Sequence, residues 1–96
     1  MPKPTLIFFP TYNESAYIKP LVEEILALKG NFDILFIDDN SPDGTGKIID
    51  EMAAKYPTVK AVHRSGKLGI GSAHFDGINW AYDHKYENII TMDCLR

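Results

Sequence analysis

Four short runs of aliphatic, aromatic and β-branched residues punctuate the chain, and the three longer stretches between them carry apolar residues at three-and-four spacing. The first run, Thr5–Phe9, lies between prolines and is too short for a helix, so it reads as a buried strand. Ile18, Leu21, Val22, Ile25, Leu26 and Leu28 then mark one face of a helix over Ile18–Lys29. Pro20 fits that helix in its first turn, where a missing N–H is harmless, and Gly30 is expected to end it in the left-handed conformation. Phe32–Ile37 is the second strand, closed by the turn-rich loop Asp38–Gly44. A second helix, Thr45–Tyr56, shows one apolar face and stops at Pro57. Val59–His63 is the third strand, Arg64–Gly71 a glycine-rich loop, Ser72–Tyr86 the third helix and Asn88–Met92 the fourth strand. Phe75, Trp80 and Tyr82 on the third helix are expected to pack against the sheet.

Strands that are apolar throughout, rather than alternating, imply a parallel sheet buried on both faces. Right-handed crossovers then put helices on both sides. The fold expected is a Rossmann-like three-layer α/β/α unit with about four mainly parallel strands and three helices, a single domain over residues 1–96. Hydrophobic residues at 45% and charged residues at 24% exclude a disordered tail. A net charge of −3 argues against a basic nucleic-acid surface. The single cysteine, Cys94, makes neither an internal disulfide nor a zinc cluster and suits a reducing compartment. No apolar run approaches the ~18 residues of a membrane span, and the start Met1-Pro2-Lys3-Pro4 leads into no signal-peptide pattern, so a cytoplasmic chain is expected.

The polar residues that do not belong to a core fall at the carboxyl ends of the strands, where open parallel sheets bind ligands. Pro10, Thr11, Tyr12, Asn13 and Glu14 follow the first strand, Asp38 and Asp39 the second, with Asp43 close behind. Arg64, Lys67, Gly66, Gly69 and Gly71 follow the third, and Asp93 the fourth. A ring that can stack on a base, carboxylates that accept from base or ribose, and cations with loop amides for phosphates together suit a nucleotide. Asn40, Ser41 and Gly44 read equally as turn formers, and Tyr12 as a plain rim aromatic. The adjacent Asp38 and Asp39 are harder to dismiss, because neighbouring carboxylates repel unless solvated or partnered. His63, His74 and His84 have no metal-ligand spacing.

Gly44-Thr45-Gly46-Lys47 lacks the upstream glycine of a P-loop and has Ile48 where Ser or Thr is required. Gly69-Ile70-Gly71 has His74 in place of the third glycine of a dinucleotide fingerprint and follows the wrong strand. No Gly-x-Ser-x-Gly elbow occurs. A phospho-receiver domain would need acidic residues where Tyr12 stands and an acceptor aspartate where Arg64 stands.

Three segments in order, Pro10-Thr11-Tyr12-Asn13-Glu14, Ile37-Asp38-Asp39-Asn40-Ser41-Pro42-Asp43-Gly44-Thr45 and Arg64-Ser65-Gly66-Lys67-Leu68-Gly69-Ile70-Gly71-Ser72-Ala73, resemble a family 2 glycosyltransferase of the GT-A fold. The second and third resemble its dolichyl-phosphate (polyprenyl-phosphate) mannosyltransferase branch. The resemblance implies an inverting transfer of a hexose, mannose from GDP-mannose in the first instance and a UDP-sugar otherwise, to a polyprenyl phosphate at the cytoplasmic face of a membrane. It implies that Pro10, Tyr12 and Glu14 line the nucleoside pocket, and that Asp39, with Asp38, bonds base or ribose. Arg64 and Lys67 are placed near the diphosphate, Gly69 and Gly71 in a close-approaching loop, and Asp93 at the metal, Mg²⁺ or Mn²⁺.

The family's Asp-x-Asp would put its second carboxylate at Leu95, so metal binding is expected to be weak or absent. The resemblance covers an N-terminal nucleotide-sugar-binding part of the family's catalytic domain, without catalytic residues of its own. Little transferase activity is expected of this chain alone, and self-association through an exposed sheet edge is expected. The alternative is a non-catalytic nucleotide-binding or interaction module.

Overall fold

A computed structural model describes residues 5–28, 30–39, 41–64 and 70–91, with 70–73 as helical backbone only. The elements are β1 (Thr5–Thr11), α1 (Ser15–Ala27), β2 (Phe32–Asp38), α2 (Thr45–Lys55), β3 (Val59–His63), α3 (Ile70–Asp83) and β4 (Ile89–Thr91). The strands form one parallel sheet in the order β3-β2-β1-β4. From β1 to β3 the chain steps outward in one direction, so right-handed crossovers leave α1 and α2 on one face. The next crossover returns over β2 and β1 to reach β4, which places α3 on the opposite face. The direction reverses at β1, and the crevice beyond its carboxyl end is where sheets of this kind hold ligands.

Each face has its own core because successive strand residues point to opposite sides. Ile7, Phe9, Ile34 and Phe36 meet Ile18, Val22, Ile25, Ile49 and Met52 of α1 and α2. Phe9 and Phe36 are register partners whose rings stack with centroids 5.4 Å apart. Leu6, Phe8, Leu35 and Ile37 form the other face, covered by Ala81 and Trp80. There α3 comes close to β1: the Phe8 and His74 rings lie nearly perpendicular, with centroids 5.7 Å apart. A Cβ at Gly77 would lie 2.7 Å from the Phe8 ring, so only glycine permits this approach.

The strands and α2 follow the sequence reading closely, while α1 and α3 depart from it. The first helix begins at Ser15, so Pro20 lies in its second turn rather than its first. The carbonyl that Pro20 leaves without a donor belongs to Ala16, and both residues are exposed, within reach of water. The helix ends at Ala27 with Leu28 extended, and Gly30 has no left-handed φ; its missing Cβ makes room for the Phe32 ring. The third helix begins at Ile70, which places Gly71 in its first turn and not in a loop. Of the three aromatic residues expected against the sheet, only Trp80 packs there. Phe75 and Tyr82 are 68% and 82% exposed and share an outward face with Ile78. Among the described residues β4 is an edge strand, with Ile90 exposed. No helix of the described residues is long and apolar enough to cross a membrane.

Candidate functional site

Parallel strands bring Thr11, Asp38, Asp39 and Arg64 to one rim. The backbone ladder continues onto it: the Asp39 N–H donates to the Thr11 carbonyl (3.1 Å) and the Arg64 N–H to the Asp38 carbonyl (2.8 Å). The two adjacent carboxylates separate by strand alternation. Asp38 falls on the α2 side and Asp39 on the α3 side, and each finds its own partners.

Asp38 is buried and accepts from hydroxyls and an amide. Its Oδ1 accepts from the Thr11 hydroxyl (2.8 Å) and the Ser41 hydroxyl (2.6 Å), and its Oδ2 from the Ser41 N–H (3.0 Å). These donors stand in for water and allow a buried charge. Asp39 instead takes the guanidinium of Arg64 in a bidentate grip, Nε to Oδ1 at 2.5 Å and Nη2 to Oδ2 at 2.8 Å. The third nitrogen, Nη1, donates to Asp76 of α3 at 2.9 Å. Both Arg64 and Asp39 side chains are buried, whereas Asp76 is half exposed. The hydrogen bonds to Asp39, and then those to Asp76, outweigh desolvation and hold Arg64 above even its usual high pKa.

Hydroxyls stitch the loop after β1 to the loop after β2. The Asn13 N–H donates to the Ser41 hydroxyl (2.9 Å) with Asn13 in the left-handed region at φ 54°. The Glu14 N–H donates to Thr45 Oγ1 (2.9 Å), and that fully buried hydroxyl donates onward to Asp43 (2.5 Å). Asp43 also accepts from the Thr45 N–H (3.0 Å) and from the Ser15 N–H (3.2 Å). Glu14, at the N-cap of α1, makes no side-chain cap bond; its carboxylate accepts from the Tyr12 N–H (3.1 Å). Asp43 therefore caps α1 from a neighbouring loop, with its charge favourably placed at the positive end of the helix. Gly44, at φ 91°, makes the turn into α2 in a conformation most side chains resist.

The Thr45 hydroxyl foremost, with backbone donors, holds the Asp43 carboxyl at about 2, below its ordinary 3.8. A carboxylate depressed in the folded state contributes stability above its unfolded pKa and loses that contribution as pH falls through the folded one. Acid unfolding is therefore expected to take up a proton at this site between about pH 4 and pH 2. The Asp43→Asn variant should show a flatter dependence of urea midpoint on pH across that window. An unchanged slope would mean that Asp43 is not depressed.

The structure thus pairs Asp39 with Arg64, turns Asp38 to the other face of the same rim, and leaves Pro10, Tyr12 and Glu14 half-buried at the β1 end. Lys67, Gly69 and Asp93 lie outside the described residues, and Gly71 belongs to α3. Asp76, Thr45 and Ser41 were not singled out by sequence as site residues. Asp76 carries no local signal, while the Ser-Pro-Asp-Gly-Thr run holds the other two. Among the described residues no three His, Cys, Asp or Glu side chains converge to hold a metal ion.

Known proteins resemble the chain throughout. It is 38% identical over 90 residues to polyprenol monophosphomannose synthase of Mycolicibacterium smegmatis, covering 93% of this chain and 34% of that one. It is 36% identical over 88 residues to undecaprenyl-phosphate mannosyltransferase of Micrococcus luteus, covering 92% and 36%. The chain thus spans about a third of the length of the curated relatives it matches. The solved structure of mannosyltransferase PcManGT from Pyrobaculum calidifontis, in complex with GDP-Man and Mn²⁺, shares the fold at a TM-score of 0.77 and 22% identity, over 98% of this chain and 28% of that one. Residues 6–94 match the glycosyl transferase family 2 model, nearly the whole length, and the chain belongs to that family.

Proposed function

We propose that this chain forms the donor-nucleotide part of an enzyme that moves mannose from GDP-mannose to a polyprenyl phosphate. The observation that carries the reading is the rim at the sheet's reversal point: Tyr12, Glu14, Asp39 and Arg64 around the β1 end. The names of the mannosyltransferase relatives support the substrate class. In this proposal Tyr12 lies along the base and Asp39 accepts from base or ribose. Each of its oxygens keeps a second lone pair beyond the bond to Arg64. Pro10 and Glu14 shape the same wall, Asp38 fixes the Ser41 turn behind it, and Arg64 and Lys67 supply positive charge toward the diphosphate.

The complete enzyme's acceptor phosphate oxygen attacks the anomeric carbon as the bond from that carbon to the diphosphate oxygen breaks. A phosphate is already ionised at neutral pH, so the attack needs no strong general base. This chain's part is to bind and orient the donor. A divalent ion, when bound, supplies charge neutralisation of the leaving diphosphate. Asp93 offers one hard oxygen ligand, and Leu95 none, so donor binding is expected to depend weakly on metal.

Calorimetric titration with GDP and with UDP, each with and without Mg²⁺, tests the proposal. Saturable binding that prefers GDP and changes little with metal is the expected result. A preference for UDP would keep the family and replace the donor. No binding by a folded chain would overturn the reading. Saturable binding without sugar transfer would instead mark a nucleotide-binding module.

A further inference from the structure

Asp76 lies outside every motif of the sequence, yet its carboxylate binds the buried guanidinium of Arg64. We propose that Asp76 tunes the affinity of the donor site by occupying the edge of Arg64 that an anionic ligand would use. The inference rests on the rim being a donor-nucleotide site.

Asp39 holds the Nε and Nη2 side of the guanidinium, and both side chains are under a tenth exposed. That contact has no access to water as a substitute, so it does not exchange cheaply. Asp76 differs in each respect. It accepts a single hydrogen bond from Arg64, from Nη1, and its side chain is 45% exposed. Turning Asp76 into solvent costs little on its own side, because its carboxylate is already half hydrated. The edge of Arg64 that faces Asp76 is therefore the edge that can open.

Charge points the same way. One guanidinium between two carboxylates leaves this triad with a net charge of −1. A nucleoside diphosphate adds negative charge, so it meets repulsion at the triad until Asp76 moves away. Asp76 thus competes with the ligand for Nη1, and removing its charge should tighten binding. A residue that merely braced Arg64 would do the opposite, because its loss would loosen the site for every ligand.

The probes are GDP, pyrophosphate and guanosine, titrated calorimetrically against the full chain and its Asp76→Asn and Asp76→Glu variants. Asn keeps the shape and an acceptor for Nη1 without the charge. It is expected to bind GDP and pyrophosphate up to about fivefold more tightly, the upper end of a surface ion pair converted to affinity, with guanosine unchanged. Asp76→Glu keeps the charge and should not gain affinity. A wild-type chain that binds GDP, with an Asn variant that binds it equally or more weakly, would overturn this inference and leave the donor-site reading intact. No binding of any probe by any of the three folded chains would remove both.

Discussion

Asp39→Ala is expected to lower the unfolding free energy by about 3–5 kcal/mol, the cost of stranding one member of a buried ion pair. Arg64 has no neutral form to retreat to, since its pKa stands above the usual guanidinium value. Its side chain is 7% exposed, and in the variant only the single bond to half-exposed Asp76 would remain among its described carboxylate partners. Against a total of roughly 5–15 kcal/mol for a domain of this size, the loss is severe. Urea unfolding followed by circular dichroism reads it as a lower midpoint at unchanged slope. The double variant Asp39→Leu/Arg64→Met should recover much of the loss, because removing both charges removes the desolvation penalty as well. A drop below about 1 kcal/mol for Asp39→Ala would mean that the pair behaves as a solvated surface bridge. Where the single variant still folds, its GDP affinity should fall by about 1–3 kcal/mol if Asp39 also accepts from the nucleotide.

Phe8→Ala should cost a similar amount, about 3–5 kcal/mol, for a different reason. Phe8 is fully buried in the middle of β1, under His74 and Gly77 of α3. Truncation opens a cavity where Gly77 lets α3 approach the sheet closely. The effect should travel to the rim, because α3 carries Asp76 one residue before Gly77. Phe75→Ala is the contrasting change: the same side chain on an exposed face, with an expected cost within about 0.5 kcal/mol. Chemical denaturation of the two variants separates them. Equal losses would mean that α3 is rotated about its axis from the orientation described.

That pair of variants also marks where sequence reading stopped. Periodicity located the strands because β1 and β2 are buried on both faces, and a run such as Ile34-Leu35-Phe36-Ile37 has no solvated side to interrupt it. It placed β3 with its observed bounds, Val59–His63. On α3, however, Phe75, Ile78, Trp80, Ala81 and Tyr82 surround much of the helix, and aromatic character alone assigns Phe75 and Tyr82 to the buried face, where they do not lie. Small residues decided it: Gly77 and Ala81, four apart, let the backbone approach the sheet and turned Phe75 and Tyr82 outward.

The candidate site was legible as a set of residue types at strand ends, and not as a set of pairs. Two adjacent aspartates needed partners, and the sequence offered no means of choosing them. Strand alternation sends Asp38 to Thr11 and Ser41, and Asp39 to Arg64, 25 residues away. Ser41, Asp43 and Thr45 have the composition of an ordinary turn. Their second task, tying that turn to Asn13, Glu14 and Ser15, depends on β1 and β2 being neighbours. Such contacts come from topology, which local propensity does not encode.

A nucleotide is expected to occupy the rim at the carboxyl ends of β1, β2 and β3. Amide chemical shifts of the ¹⁵N-labelled chain, followed during titration with GDP, test it residue by residue. The expected result is a saturable set of shifts at Tyr12, Asn13, Glu14, Asp39, Ser41 and Arg64, with Asp33 and Tyr86 at the opposite end of the sheet unmoved. Shifts confined to that opposite end, or none in a well-dispersed spectrum at high GDP concentration, would contradict it.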